Sequence, residues 1–118
     1  MTKALSKIQH FHVFLGVKTS DMNAARQVCE QFVGGQLRCT KSMYYGGVHC
    51  HTQTACGSFD LRLNHHDDGS GYSWCLEDPA FPLVLSCSFF DVANAAPYMD
   101  RVKDFELLEW KKGTEVVR

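Results

Sequence analysis

A strand followed by a helix stands near the start of this sequence, and the same order returns in its second half. Residues 8–17, IQHFHVFLGV, carry apolar side chains at every second position, which is typical of a strand with one buried face. Residues 22–33 place apolar side chains at helical spacing. Asp21 is a good residue to cap this helix, and Gly34 and Gly35 end it. The sequence therefore predicts a strand and a helix in this region.

The second half of the chain repeats this unit. Residues 83–90 form a nearly continuous apolar run, which indicates a well-buried strand, and residues 91–102 are suited to a second helix. Because proline is tolerated only in the first turn of a helix, Pro97 predicts that this helix starts near Ala95. The other predicted elements are strands at 36–45, 48–54, 58–64, 74–76, 105–111 and 114–117, a polar loop at 65–73 and a break at Gly113.

The order of these elements, βαβββ followed by βαβ(β), predicts the fold class. Helices separated by antiparallel strands are typical of α+β proteins, in which the helices lie on one face of a mostly antiparallel sheet. The chain has 118 residues, which suits a single domain over residues 1–118. Within that domain, a first module spans about residues 8–64 and a shortened second module about residues 83–118. A ferredoxin-like module is one architecture with this kind of order.

Composition excludes two classes of partner. Lys and Arg total 12 and Asp and Glu total 13, for a net charge of -1, whereas nucleic-acid binding through phosphates needs a basic surplus. No apolar run reaches the roughly 20 residues that span a bilayer. We read no signal peptide at the N-terminus, so we expect a cytoplasmic protein whose 6 cysteines are reduced and packed as small hydrophobic residues.

Strand alternation predicts that polar side chains gather on the face of the sheet without helices. The apolar residues from Phe11 to Val17 should face the helices, and side chains two residues apart on a strand lie about 6.6 Å apart on the same face. The polar residues that this alternation leaves on the other face are His10, His12, His49, His51, Gln53, Asp60, Arg62 and Asn64. Such a set suits a ligand or metal site, and the alternative is a polar face that simply contacts solvent.

Two neighbouring groups of residues are not predicted to be sites. The run His65–Asp68 lies in the predicted polar loop and is interpreted as a solvated turn. Cys50 stands between His49 and His51, but on a strand its side chain points to the opposite face. A Cys–His nucleophile pair is therefore not expected there.

Three segments resemble the vicinal oxygen chelate superfamily, which includes glyoxalase I, extradiol dioxygenases and bleomycin-resistance proteins. They are HFHVFLGVKTSDMNAARQVCEQFVGG, GSFDLRLN and LSCSFFDVANAAPYMDRV. The resemblance implies a sheet curled into a cup that holds a small molecule, with metal ligands at His12 and Asp60. The second module departs from the family pattern, because Leu85 stands where a second ligand would be and Leu85 cannot bind a metal.

Three functions follow from these patterns. We expect first a non-catalytic protein that binds a small molecule on the helix-free face, and second a protein-interaction module. The third is a metal-dependent lyase, isomerase or dioxygenase-like enzyme. In it His12 and Asp60, together with His10, His49 or His51, would hold a divalent ion that polarises a substrate oxygen. No other cofactor is expected. Because a shortened second module leaves a sheet edge bare, we also predict a homodimer.

Overall fold

A computed structural model describes residues 9–42, 47–67, 72–74, 76, 78 and 80–117. It confirms an α+β fold, in which a six-stranded antiparallel sheet carries two helices. None of the helices in these ranges is both long enough and apolar enough to cross a membrane. The elements are β1 Gln9–Val17, α1 Met22–Val33, β2 Arg38–Ser42, β3 Gly47–Thr54, β4 Gly57–Leu63, β5 His65–Asp67, β6 Tyr72–Trp74, β7 Leu83–Phe89, α2 Val92–Arg101 and β8 Leu108–Val117, with a 3-10 turn at Val102–Asp104.

The strands of the main sheet lie in the order β2-β3-β4-β7-β1-β8. Each strand is antiparallel to its neighbours, and β7 lies between β1 and β4. The two strand–helix units of the sequence thus share one sheet rather than forming two separate ones. Taken in chain order, β1, α1, β4, β7, α2 and β8 follow the β-α-β-β-α-β order of ferredoxin-like modules. Strands β2 and β3 extend that sheet beyond β4.

Helix α1 is bounded as the sequence predicts. The Asp21 carboxylate accepts hydrogen bonds from the backbone N–H groups of Asn23 and Ala24, which have no partner within the helix. At the other end Gly34 has a φ of 84°, and its N–H donates to the carbonyl oxygen of Glu30. The left-handed backbone conformation at this position favours glycine, which explains why the helix ends there.

Helix α2 begins earlier than Pro97 suggests. The prediction of a start near Ala95 is wrong, because the helix begins at Val92, directly after Asp91. The Asp91 side chain accepts hydrogen bonds from both the backbone N–H and the side-chain amide of Asn94. This cap, together with burial of Ala95 and Tyr98, offsets the one helical hydrogen bond that Pro97 cannot make.

Both helices pack on the same face of the sheet. Phe32 of α1 and Tyr98 of α2 meet with ring centroids 5.6 Å apart, and Tyr98 also contacts Phe59 of β4 at 5.4 Å. The Arg101 guanidinium donates to the carbonyl oxygen of Phe32 and lies over the Tyr98 ring. The helices contribute Ala25, Cys29, Phe32 and Ala95 to the fully buried core. The strands beneath them contribute Val13, Leu15, Val17, Cys50, Phe59, Leu61, Leu83, Leu85, Cys87 and Phe89.

Two strand predictions need correction. Residues 65–67 and 72–74 form a hairpin, β5 and β6, where the sequence predicts a polar loop followed by a strand at 74–76. Strand β8 continues through Gly113, where a break is predicted. A side chain on Gly113 would overlap the indole of Trp110, so the glycine permits close packing rather than ending the strand.

The prediction that the cysteines are reduced is wrong for Cys39 and Cys50. Cys39 on β2 and Cys50 on β3 lie directly opposite each other and form a disulfide. Cys29, Cys56 and Cys87 are free. Burial raises the pKa of the Cys29 thiol to about 12, with a further contribution from the neighbouring charge of Glu30, and burial likewise raises the pKa of Cys87.

Candidate functional site

The alternation prediction is confirmed for β1, β3 and β4. Cys50 is fully buried under the helices, whereas the side chains of His51 and Gln53 are exposed on the opposite side of the sheet. We call the helix-free side the open face. The following described residues contribute to it: Arg38, Thr40, His49, His51, Gln53, Ser58, Asp60, Arg62, Val84, Ser86, Ser88, His10, His12, Phe14, Gly16, Glu109 and Lys112.

The centre of the open face is a hydrogen-bonded His–Asp pair between strands β3 and β4. The register places His51 directly opposite Asp60, and Nδ1 of His51 lies 2.8 Å from Oδ1 of Asp60. The side chain of His51 is 48% exposed and that of Asp60 is 26% exposed. Arg38 lies opposite His51 on β2, and Ser86 lies opposite Asp60 on β7. One row across the sheet therefore joins four polar side chains.

This pairing sets what the His51 imidazole offers to a ligand. An ionised carboxylate only accepts hydrogen bonds, so Nδ1 of His51 carries the proton that is shared with Asp60. Nε2 is then directed away from Asp60, and it makes no hydrogen bond to any residue that the structure describes. It can accept a hydrogen bond from a ligand, or donate one when the ring is protonated.

Asn64 was predicted to belong to this face, but the structure gives it another role. It is fully buried, and its side-chain amide donates to the carbonyl oxygens of Leu76, Asp78 and Phe81 while its Oδ1 accepts from the N–H of Leu76. The backbone N–H of Asn64 also donates to the carbonyl oxygen of Pro82. Asn64 thus fixes Leu76, Asp78, Phe81 and Pro82 against the end of β4, and its amide is not available to a ligand.

Leu76, Asp78 and residues 80–82 lie at one end of the open face, and we call these residues the wall. Phe81 is 4% exposed, and a side chain on Gly16 would overlap its ring. Val84, which is paired with Gly16, is completely buried although it points away from the helices. The Lys111 ammonium lies 5.0 Å from the Phe81 ring centroid and 3.7 Å from the Asp78 carboxylate. The open face is therefore a flat polar surface with an aromatic wall at one end.

The metal ligands implied by the family resemblance do not meet in this sheet. His12 lies opposite Ser88 of β7, and Ser88 lies opposite Ser58 of β4, so Asp60 is two strands away and one residue pair further along. With ordinary strand spacings this places the two Cα atoms about 12 Å apart. Asp60 is paired with His51 instead. Within the described ranges, no group of three or more His, Cys, Asp or Glu side chains is arranged to hold a metal ion.

The remaining predicted residues surround the central pair at different distances. His49 approaches Thr40 across β2 and β3, with Nε2 3.4 Å from the hydroxyl oxygen. Arg62 is half-buried one residue pair from Asp60 toward the wall, opposite Val84. His10 and His12 lie toward the other end of β1. The structure therefore brings His49, His51, Asp60 and Arg62 together and leaves His10 and His12 outside that group.

Cationic groups outnumber anionic ones around this group. Arg38 and Arg62 flank the His51–Asp60 pair on the open face, and Lys112 lies over the Phe14 ring. Glu109 is the other carboxylate of this face, and its pKa is lowered chiefly by a hydrogen bond from Lys111, with a smaller contribution from Lys18. Among the described residues of the open face, Arg38, Arg62 and Lys112 thus exceed the carboxylates of Asp60 and Glu109, and this surplus favours an anionic ligand.

The sequence patterns do not predict that Arg38, Ser86 and Phe81 lie near the site. Arg38 and Ser86 occupy the polar positions of their strands, so the same alternation would have included them once their strand boundaries were known. Phe81 gives no such signal, because a turn segment between residues 76 and 82 brings it over Gly16.

Comparison with known proteins does not assign this site. No protein-family model matches the chain, and no curated protein matches it. The chemistry of the open face is therefore the basis for a functional proposal.

Proposed function

We propose that this protein binds a small acidic molecule on the open face, beside the His51–Asp60 pair, without catalysing a reaction on it. The observation that carries the proposal is the half-exposed imidazole of His51, which Asp60 orients through a 2.8 Å contact. In its protonated form, a histidine that is held in one orientation donates from Nε2 to an anion with little further loss of entropy. Arg38 supplies positive charge beside it, and guanidinium groups bind carboxylates and phosphates well.

Phe14 adds an apolar contact to this polar surface. It is half-buried in the same row as His51, Asp60 and Ser86, and aromatic rings stack favourably on planar ligands. A ligand with an acidic group and an aromatic or other flat apolar part would use both features. Small-molecule sites commonly combine a few placed polar groups with apolar surface of this kind.

Matched pairs of probes test this proposal by amide chemical shifts in two-dimensional NMR. We expect benzoate and phenyl phosphate to shift amide signals of β3, β4 and β7 near His51, Asp60 and Ser86. The uncharged counterparts benzamide and phenol should bind at least about tenfold more weakly, because each charge-assisted hydrogen bond contributes on the order of 1.5 kcal/mol or more. If neither acid shifts signals of the open face at millimolar concentration, the proposal is wrong.

The proposal includes association of two copies of the chain through β8. This strand is ten residues long and lies at the end of the sheet, where its outer edge pairs with no strand in the described part of the chain. An open strand edge is a template for pairing with another strand. Antiparallel pairing of β8 with β8 of a second copy would join two sheets while leaving both open faces accessible.

Light scattering coupled to size-exclusion chromatography tests this association. We expect a mass of twice 13.3 kDa at micromolar concentration. The register places the N–H of Glu115 on the outer edge of β8, because the opposite residue Phe11 directs its backbone groups toward β7. A proline in place of Glu115 would remove this outward donor and should lower the dimer fraction. A single species of 13.3 kDa for the unmodified chain would contradict the dimer.

A protein-interaction module is the second candidate function. Phe90 and Val92, at the junction of β7 and α2, are 45% and 44% exposed. Exposed large apolar side chains next to each other are typical of contact surfaces. A purified chain that binds none of the acidic probes, and whose signals near Phe90 shift on addition of a partner protein, would favour this alternative.

A further inference from the structure

Strand β2 lies at the edge of the main sheet. It has five residues, and within the part of the chain that the structure describes it pairs with one strand, β3. Its residues Arg38, Cys39 and Thr40 are all exposed. Short edge segments with exposed backbone hydrogen bonds are among the first parts of a protein to open. Any cross-link at this position therefore has a large influence on whether β2 stays in the sheet.

The Cys39–Cys50 disulfide is that cross-link. It joins the central residue of β2 to the directly opposite residue of β3, between the pairs Arg38–His51 and Thr40–His49. The Cys50 residue is completely buried, whereas Cys39 is exposed. Cys39 is thus the half of the disulfide nearer to solvent and the half that an incoming thiol would meet first, while Cys50 lies in the core.

A cationic group stands next to the exposed sulfur. Nη1 of Arg26, on α1, lies 3.9 Å from Sγ of Cys39. Thiol–disulfide exchange passes through a state in which negative charge is spread over the sulfur atoms, and a nearby guanidinium stabilises that charge. The arrangement therefore favours exchange at Cys39 and distinguishes this sulfur from the buried thiols of Cys29 and Cys87.

The same strand contributes to the candidate binding site. Arg38 lies opposite His51, and the Thr40 hydroxyl approaches Nε2 of His49. If β2 leaves the sheet, the open face loses the Arg38 guanidinium and the contact to His49. The redox state of one disulfide would then change the affinity of the open face for an anion.

We propose that Cys39–Cys50 is a thiol-exchangeable disulfide that holds β2 in the sheet and so controls the binding site on the open face. A dithiol supplies the two electrons and two protons. Its thiolate attacks Sγ of Cys39, the Cys39–Cys50 bond breaks, and Cys50 leaves and is protonated. The second thiol of the reductant then attacks the mixed disulfide, which releases Cys39 as a thiol and the reductant as its own disulfide. The control of binding rests on the proposed function, whereas the release of β2 does not.

Hydrogen–deuterium exchange on the full chain tests the release of β2 directly. After reduction by dithiothreitol we expect the amides of Arg38–Ser42, and the β3 amides that bond to them, to exchange at least tenfold faster than in the oxidised protein. Amides of β1 and β7 should change by less than twofold. The variant Cys39→Ser should reproduce the reduced state without reductant, and Cys56→Ser, which alters a free cysteine, should behave as the oxidised protein.

Binding of phenyl phosphate to the oxidised and reduced protein tests the control of the site. We expect at least fivefold weaker binding after reduction, with recovery on reoxidation. The proposal is overturned if the β2 amides exchange at the same rate after reduction. It is also overturned if β2 is released but the oxidised and reduced proteins bind phenyl phosphate with equal affinity. Faster exchange without binding in either state would support release of β2 and instead refute the proposed function. Iodoacetamide should label Cys39 in the reduced protein only.

Discussion

Replacing Asn64 by aspartate is expected to lower the free energy of unfolding by about 4 kcal/mol. Aspartate keeps the shape of the side chain but replaces the amide nitrogen, which donates to three carbonyl oxygens, by an acceptor oxygen. A buried carboxylate facing carbonyl oxygens leaves all of them without a donor, and desolvation makes this costly. We expect Asn64→Ala to have an effect of similar size, because it removes the same donors and leaves a cavity.

Urea denaturation followed by fluorescence or circular dichroism measures these effects. Gln53→Ala is the matched control, because it removes an amide that is exposed on the open face, and we expect a change within about 0.5 kcal/mol. We also expect the wall to loosen in the Asn64 variants, so that amides near Leu76 and Phe81 exchange faster. Wild-type stability of Asn64→Asp would show that the amide does not hold the wall.

Replacing Gly57 by alanine is expected to cost about 3 kcal/mol of stability or more. Gly57 begins β4 with a φ of 156°, and a Cβ at this position would overlap the backbone carbonyl of Ser88 on β7. Because the obstructing atom belongs to the backbone of a central strand, it cannot move aside as a flexible side chain would. The β3–β4 turn must therefore shift, and with it the register that pairs His51 with Asp60.

Gly35→Ala is the matched control for this variant. Gly35 follows α1 without a positive φ, and no atom lies within 4 Å of the position that its Cβ would occupy. We expect its stability to change by no more than about 0.5 kcal/mol. The two variants are compared by urea denaturation, and equal stability would contradict the close approach of β4 and β7 at Gly57.

Local patterns predicted the elements and the faces of the sheet. The alternation of residues 8–17 and 58–64 correctly placed Val13 and Phe59 in the core and Asp60 on the open face, since this depends only on the two-residue period of a strand. The N-cap at Asp21 was likewise readable, because its hydrogen bonds are made within three residues.

Features that depend on distant parts of the chain could not be read in this way. The position of β7 between β1 and β4 separates His12 from Asp60, and no periodicity within a strand reports strand order. The Cys39–Cys50 pair likewise depends on the register of β2 against β3. Asn64 follows the alternation of a strand, yet residues 76–81 determine its role.

The central claim is that an anion binds beside the His51–Asp60 pair. It is tested most directly by measuring the dissociation constant of phenyl phosphate for the oxidised wild-type protein and for His51→Ala. Gln27→Ala, on the surface of α1 and away from the open face, is the control. We predict at least tenfold weaker binding for His51→Ala and wild-type binding for Gln27→Ala. Equal affinity of wild type and His51→Ala would contradict a binding site beside the His51–Asp60 pair.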